Sequence, residues 1–317
     1  MAGPYTHLTI AHGAMLDAQL SPELVALLQV KASYVYVGAL SPDMPYASLD
    51  THYSDMYHRR DTGRVLQAAL ELLRRRRASG EYTTGALDAM EAWLYGYASH
   101  LVIDTFLHPI NQATVSVGGS EMDPLRHREC EMAQDILLVS DVHADDVEIC
   151  TGAYAYTLRM ALDSDEISDI AEFWESIHDT VYGDLAPDTG PRLWIPSFVE
   201  IIELIEKGQA VQHVTRHINN DLGQNVQYVA ADELRSDRPD LVADYYEHVH
   251  LPDGTSAHFL NDVFPAAVDA VLGLWDLIEG VLNAQDDELE VRFDSWDLDR
   301  GVEVSSDELV FWRGSEA

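Results

Sequence analysis

A chain of 317 residues, 47% of them hydrophobic, can bury one large core or two small ones. It carries 55 acidic residues against 19 basic ones, a formal net charge of −36, and only Lys31 and Lys207 are lysine. Helical apolar periodicity excludes a disordered acidic chain, and leaves a folded protein with a carboxylate-covered surface, as in cytoplasmic proteins of extreme halophiles.

At about 1 M salt the Debye length is only ~3 Å, so self-repulsion is largely screened. In dilute salt the charge argues strongly against a polyanionic partner; in brine it argues only weakly. No stable nucleic-acid complex is expected. Cys130 and Cys150 are the only cysteines, too few for a disulfide framework. The N-terminal Met-Ala-Gly-Pro-Tyr-Thr-His has neither a basic nor an apolar signal region, and no stretch approaches the ~20 apolar residues of a membrane span. The expectation is a cytoplasmic protein without a transmembrane segment. Composition leaves the oligomeric state open.

Helical periodicity dominates the chain. It predicts a first helix over 8–30, then a loop at Ser41-Pro42-Asp43-Met44-Pro45. An amphipathic helix over 62–78 ends in Arg74 to Arg77. A long helix over 84–108 is stopped by Pro109, and a loop follows over 110–122. Asp123-Pro124 supplies an N-cap and a first helical residue for a helix to about Val139. Further helices are predicted over 145–163, 166–181, 196–206, 209–228, 239–248 and 256–284. Beyond these, Leu289 to Phe293 and Val302 to Val304 alternate like strands around a turn at Asp297 to Gly301. The division expected is a helical metallohydrolase domain over 1–285, with its metal motifs inside 5–135, and a short β-hairpin and tail over 286–317 packed on it.

Seven of the 14 histidines lie at or before residue 127. They fall in four clusters: His7 with His12, His52 with His58, His100 with His108, and His127. His100, Asp104 and His108 are spaced i, i+4, i+8 and stack on one helical face. His127, Glu131 and Asp135 repeat the spacing. Two helices that each carry imidazole and carboxylate one turn apart can build a multinuclear zinc site. Such clusters suit phosphoester hydrolysis, in which one metal lowers the pKa of a water and its neighbours stabilise charge on phosphate.

In their order, His7 in Thr6-His7-Leu8-Thr9-Ile10-Ala11-His12, Pro42-Asp43, Thr51-His52, the His100-x3-Asp104-x3-His108 run and His127-x3-Glu131 resemble the zinc-dependent phospholipase C family, although the gap from Asp43 to His52 is short beside some relatives. That family includes the catalytic domain of glycosylphosphatidylinositol-specific phospholipase D and is related to P1-type nucleases. The resemblance covers roughly residues 5–135. It implies a mostly α, multi-helix body holding three zinc ions, or two if the N-terminal site is incomplete. By the resemblance, one zinc takes Asp43, His52, His100 and Asp104; a second takes His108, His127 and Glu131; a third takes His7, with Asp104 bridging. Asp43 is also the implied general base. The family's third zinc takes the mature N-terminal amine, which removal of Met1 would here supply from Ala2. His58 competes with His52, and the Thr-His context favours His52.

The function expected is a phosphodiester hydrolase using a zinc-activated water, closest to phospholipase C, with a phospholipid or another phosphodiester as substrate. The alternatives are a P1-like single-strand nuclease and a catalytically inactive, metal-stabilised binding or scaffold protein. Plainer roles fit several other residues. His12 and Asp135 can support ligands rather than bind metal, and Asp135 can orient a histidine. Arg74 to Arg77 complement a helix C-terminus, Trp93, Tyr95 and Tyr97 suit a core, and Cys130 suits a buried thiol. His213 and His217 have metal spacing but no carboxylate partner.

The acidic excess predicts a salt requirement for folding. The thermal midpoint should rise steeply between about 0.1 M and about 3 M KCl, across the range in which screening becomes strong. An unchanged cooperative melt over that range would contradict it.

Overall fold

The structure, a computed structural model, describes residues 3–48, 51–116, 123–143, 153–183, 189–207, 228–284 and 292–312. It is mostly α-helical, as expected, with two short antiparallel strand pairs. The helices are α1 (Pro4–Met15), α2 (Pro22–Val30), α3 (Ala32–Leu40), α4 (Met44–Ala47), α5 (Thr51–Arg59), α6 (Thr62–Ser79) and α7 (Thr84–Val115). They continue with α8 (Pro124–His143), α9 (Ala153–Leu162), α10 (Ile167–Tyr182), α11 (Pro191–Glu206), α12 (Ala231–Asp237), α13 (Pro239–Val242) and α14 (Phe264–Asn283).

The expected first helix is two. Ser21-Pro22 interrupts it, with the Ser21 hydroxyl accepting from the Leu24 amide and Pro22 opening α2. The helices α3, α5 and α12 were not expected. α3 is buried from Tyr34 to Leu40, so it has no polar face for periodicity to detect. The expected helix over 209–228 lies almost wholly outside the described residues.

α7 is the centre of the body. It is capped by Thr83, whose hydroxyl accepts from the Ala86 amide, and runs for 32 residues, about 48 Å at 1.5 Å per residue. Every residue from Ala89 to Asn111 is buried. Such a helix has no solvent face and must be surrounded; α1, α3, α6, α8, α10 and α14 pack around it. Trp93, Tyr95 and Tyr97 belong to this core. Contrary to expectation, Pro109 does not end the helix. It leaves the Thr105 carbonyl without its usual helical donor, and Gly301 packs directly on that carbonyl and the proline ring.

The tightest contact is between α3 and α7. A Cβ on Gly96 would lie 2.0 Å from the Val35 carbonyl oxygen, and one on Gly38 would lie 2.1 Å from that of Trp93. Each helix therefore presents a glycine where the other's backbone passes. Nearby, the Trp93 indole donates to the Ser41 hydroxyl at 2.9 Å, which ties the turn after α3 to α7.

The strands are β1 (Val249–His250), β2 (Ser256–Ala257), β3 (Trp296–Asp297) and β4 (Val302–Glu303). β1 and β2 pair where helices were expected to end and begin; a π-helical turn over Ala243–Glu247 extends α13, and another over Phe259–Val263 leads into α14. In the C-terminal hairpin β3 pairs with β4, Trp296 opposite Glu303. The first strand is thus later than expected. Arg292 and Phe293 are not extended partners, because the Phe293 and Asp294 carbonyls press on Gly63 at the start of α6. Residues 285–291 lie outside the described residues. No single helix among the described residues is long and apolar enough to cross a membrane.

The crossing predicts opposite outcomes for two glycines. Gly96→Ala should lower stability by about 3 kcal/mol or more, because the new methyl meets backbone rather than a movable side chain. Gly273, exposed on α14 with no neighbour in reach of a Cβ, should gain ~0.5–1 kcal/mol as alanine. Denaturant midpoints in high salt measure both.

Candidate metal centre

Five buried side chains from four parts of the chain converge beside the middle of α7. His7 comes from α1, Asp43 from the turn after α3, His58 from α5, and His100 and Asp104 from α7. The ligand atoms of His7, Asp43 and His100 lie within 4.8 Å of one another, as do those of His58, His100 and Asp104. One turn on, His108, His127 and Glu131 form a second group within the same limit. Asp104 links the two: its Oδ1 is 3.1 Å from His7 Nε2 and 4.0 Å from His108 Nδ1.

The ring orientations reveal what the first group is built for. His100 Nδ1 lies 2.8 Å from the Ala39 carbonyl oxygen, and His58 Nδ1 lies 2.7 Å from that of Ser54. A carbonyl only accepts, so each Nδ1 carries a proton and each Nε2 points inward, offering a lone pair whenever its ring is neutral. Those two nitrogens face each other at 3.4 Å. His58 Nε2 is also 3.0 Å from Asp43 Oδ1 and 3.4 Å from Asp104 Oδ2, and His100 Nε2 is 3.3 Å from the latter. Lone pairs and carboxylates directed at one buried point repel unless a positive charge joins them.

The titration of the groups expresses the same demand. Burial alone would raise Asp43 and Asp104, yet neighbouring histidines hold Asp43 below the usual carboxylate range and Asp104 well below it. Burial opposes a charged His58, but Asp104 and Asp43 raise its pKa to about 10. The point where these groups meet holds either a proton or a cation.

In the second group, His108 donates from Nδ1 to the Leu298 carbonyl at 2.5 Å. Its buried Nε2 has no hydrogen-bond partner among the described residues, nor has Nδ1 of His127. His127 Nε2 lies 2.8 Å from Glu131 Oε1, and Arg128 donates to Glu131 Oε2 at 2.6 Å. Against the effect of burial, His127 and Arg128 hold Glu131 well below its ordinary value, while burial lowers His108 to about 4. Imidazole nitrogens and carboxylate oxygens, oriented by backbone carbonyls, are a donor set that fits zinc.

Seven of the eight residues expected at the centre are brought together: His7, Asp43, His100, Asp104, His108, His127 and Glu131. His52 is not. It sits exposed near the start of α5, its ring against Tyr53, and His58, one and a half turns on, takes the place expected of it. The local pattern on α5 is the signal that the Thr-His context obscured. Ser54, Tyr57 and His58 are buried together, at i, i+3 and i+4, whereas His52 falls on the opposite side.

Other expected roles also shift. Among the described residues Asp135 orients no histidine; it accepts from the Thr6 amide at 2.6 Å and the Tyr228 hydroxyl at 2.7 Å, fixing the residue before His7. His12 bonds Tyr36. Arg76 pairs with Glu172 and Arg77 with Glu91. Cys130 is fully buried, and burial pushes its thiol well above the usual range. Ala2, Cys150, His213 and His217 lie outside the described residues.

No curated protein and no solved structure matched the chain. The family model described as zinc dependent phospholipase C matches residues 6–192. That span takes in all eight residues of the two groups and more than half of the sequence, and the chain therefore belongs to the zinc-dependent phospholipase C family.

Proposed function

We propose that the protein is a zinc-dependent phosphodiester hydrolase with a phospholipase C-like reaction. One observation carries this: two histidines, each fixed by a backbone carbonyl, turn their lone pairs on one buried point shared with Asp43 and Asp104. In this reading His7, Asp43, His58, His100 and Asp104 hold metal at the first group, and His108, His127 and Glu131 hold it at the second. Zinc bound there supplies Lewis acidity and lowers the pKa of water in an open position.

The residues themselves divide the remaining work. Asp43 is ionised and lies at the edge of the first group, 4% exposed. It is placed to accept a proton from the attacking water as oxygen adds to phosphorus and the ester P–O bond breaks, with the leaving alkoxide taking up a proton from solvent to depart as the alcohol. Asp104 spans both groups and fixes their separation. Arg128 holds the second carboxylate oxygen of Glu131, so the other remains turned toward His127.

The ligand assignment predicts a contrast within α5. His58→Ala should lose at least one zinc equivalent and nearly all hydrolysis, while His52→Ala should keep both. Asp104→Asn should reduce metal at the first group. Metal analysis of protein purified in molar KCl checks this; full zinc content in His58→Ala would refute it.

The substrate class is tested by offering a phospholipid, single-stranded DNA and RNA, and a small chromogenic phosphodiester to the same zinc-loaded protein. Release of diacylglycerol or the corresponding neutral lipid, abolished by chelation, is the outcome expected. Faster cleavage of single strands would establish the nuclease instead. Full zinc occupancy with no turnover on any substrate would establish the inactive scaffold.

A further inference from the structure

His58 and His100 are each oriented by a carbonyl within the span that the family model matches: Ser54 on the same helix, and Ala39 at the glycine crossing. His108 is different. Its acceptor is Leu298, 190 residues later in the chain and well beyond residue 192. Leu298 lies in the turn between β3 and β4, and its amide donates to the His58 carbonyl at 2.7 Å. One peptide segment therefore touches a histidine of each group: it accepts from the ring of one and donates to the backbone of the other.

The hairpin is held to make those contacts. Gln112, one turn beyond His108, donates to the Asp299 carbonyl at 2.7 Å, and Arg59, next to His58, pairs with the Asp299 carboxylate at 2.6 Å. The Thr62 hydroxyl accepts from the Trp296 amide and donates to its carbonyl. The Trp312 indole donates to the Phe106 carbonyl, and its ring packs on Phe106. Gly301, at φ 66°, closes the turn against Pro109, where an added Cβ would lie 2.3 Å from the proline ring and 2.6 Å from the Thr105 carbonyl oxygen. The Leu298 side chain is completely buried.

We infer that the C-terminal hairpin is the positioning element of the second group, and that Leu298 is its positioning residue, fixing the His108 ring by accepting its Nδ1 proton so that Nε2 faces His127 and Glu131. The competing acceptor is Asp104 Oδ1, 4.0 Å from the same nitrogen. Without Leu298, His108 turns toward a carboxylate that the first group needs, and the second group loses its fixed ligand. An outer partner of this kind typically changes metal affinity 10–100-fold. The role of the second group as a zinc site rests on the function proposed above; the hydrogen bond that fixes His108 does not.

Full-length variants in molar KCl separate the possibilities. Gly301→Ala pushes the turn away from α7. Gln112→Ala with Trp312→Ala loosens the same segment without changing a residue of the turn or any proposed ligand. Chelator competition on the zinc-loaded proteins should show one zinc equivalent weakened 10–100-fold, with the remainder bound as in the wild type and helicity unchanged. In metal-free wild type, the histidine 15N spectrum should show His108 protonated at Nδ1, and both variants should lose that fixed tautomer. If Gly301→Ala fails to fold, the double variant decides. Unchanged zinc affinities in folded variants, parallel weakening of all sites with loss of helicity in the double variant, or a His108 not protonated at Nδ1 in the wild type would each overturn the inference. Wild-type protein that binds zinc yet cleaves no phosphodiester would refute the hydrolase and leave these readouts intact.

Discussion

Two glycines let α3 and α7 touch backbone to backbone, and the metal centre is built outward from that contact. Because Gly38 and Gly96 have no Cβ, the last turn of α3 comes close enough for Ala39 to accept from the ring of His100. The same approach sets Ser41 against Trp93 and places Asp43, two residues on, beside His58. A side chain at either glycine would separate the helices by more than a hydrogen bond tolerates. Packing, ring orientation and carboxylate placement thus share one geometric cause. The buried middle of α7 serves as the fixed rail, with its ligands one turn apart along one face.

The centre is an electrostatic liability in the absence of a cation. Two carboxylates and the inward lone pairs of several imidazoles are removed from water, where an unpaired charge is expensive. Protonation of His58 relieves part of this, and a metal relieves more. Metal binding and folding are then linked, since the unfolded chain has no assembled site and competes for the ion only weakly. Outside the centre the charge logic reverses. The acidic surface remains hydrated, and a few arginines are spent on specific pairs such as Arg76 with Glu172 and Arg59 with Asp299.

Much of this was legible in the residues. The spacing of His100, Asp104 and His108 placed three groups on one face, and His127 with Glu131 faces them across α8 as the repeated spacing suggested. Elements buried on all sides were harder to read. α3 has no alternation of polar and apolar residues, and so gave no periodic signal. His52 and His58 both had a plausible context; the short helix that separates an inward from an outward histidine was not recognised. Pro109 was read by its local cost, but surrounding structure compensates for a missing amide in a helix that is enclosed. The role of Leu298 left no trace in its side chain, because it acts through its backbone.

The 190-residue separation between His108 and Leu298 also has a consequence in time. A ribosome adding about 5–20 residues per second needs roughly 10–40 s to travel from one to the other. Once Glu131 has been added the nascent chain contains every proposed ligand, but His108 still has no carbonyl to settle on. The second group can reach the form proposed for it only when the hairpin has been made, so its completion follows synthesis of Leu298 rather than of the ligands themselves. A chain cut short before the hairpin would display all the expected motifs and still lack a finished centre.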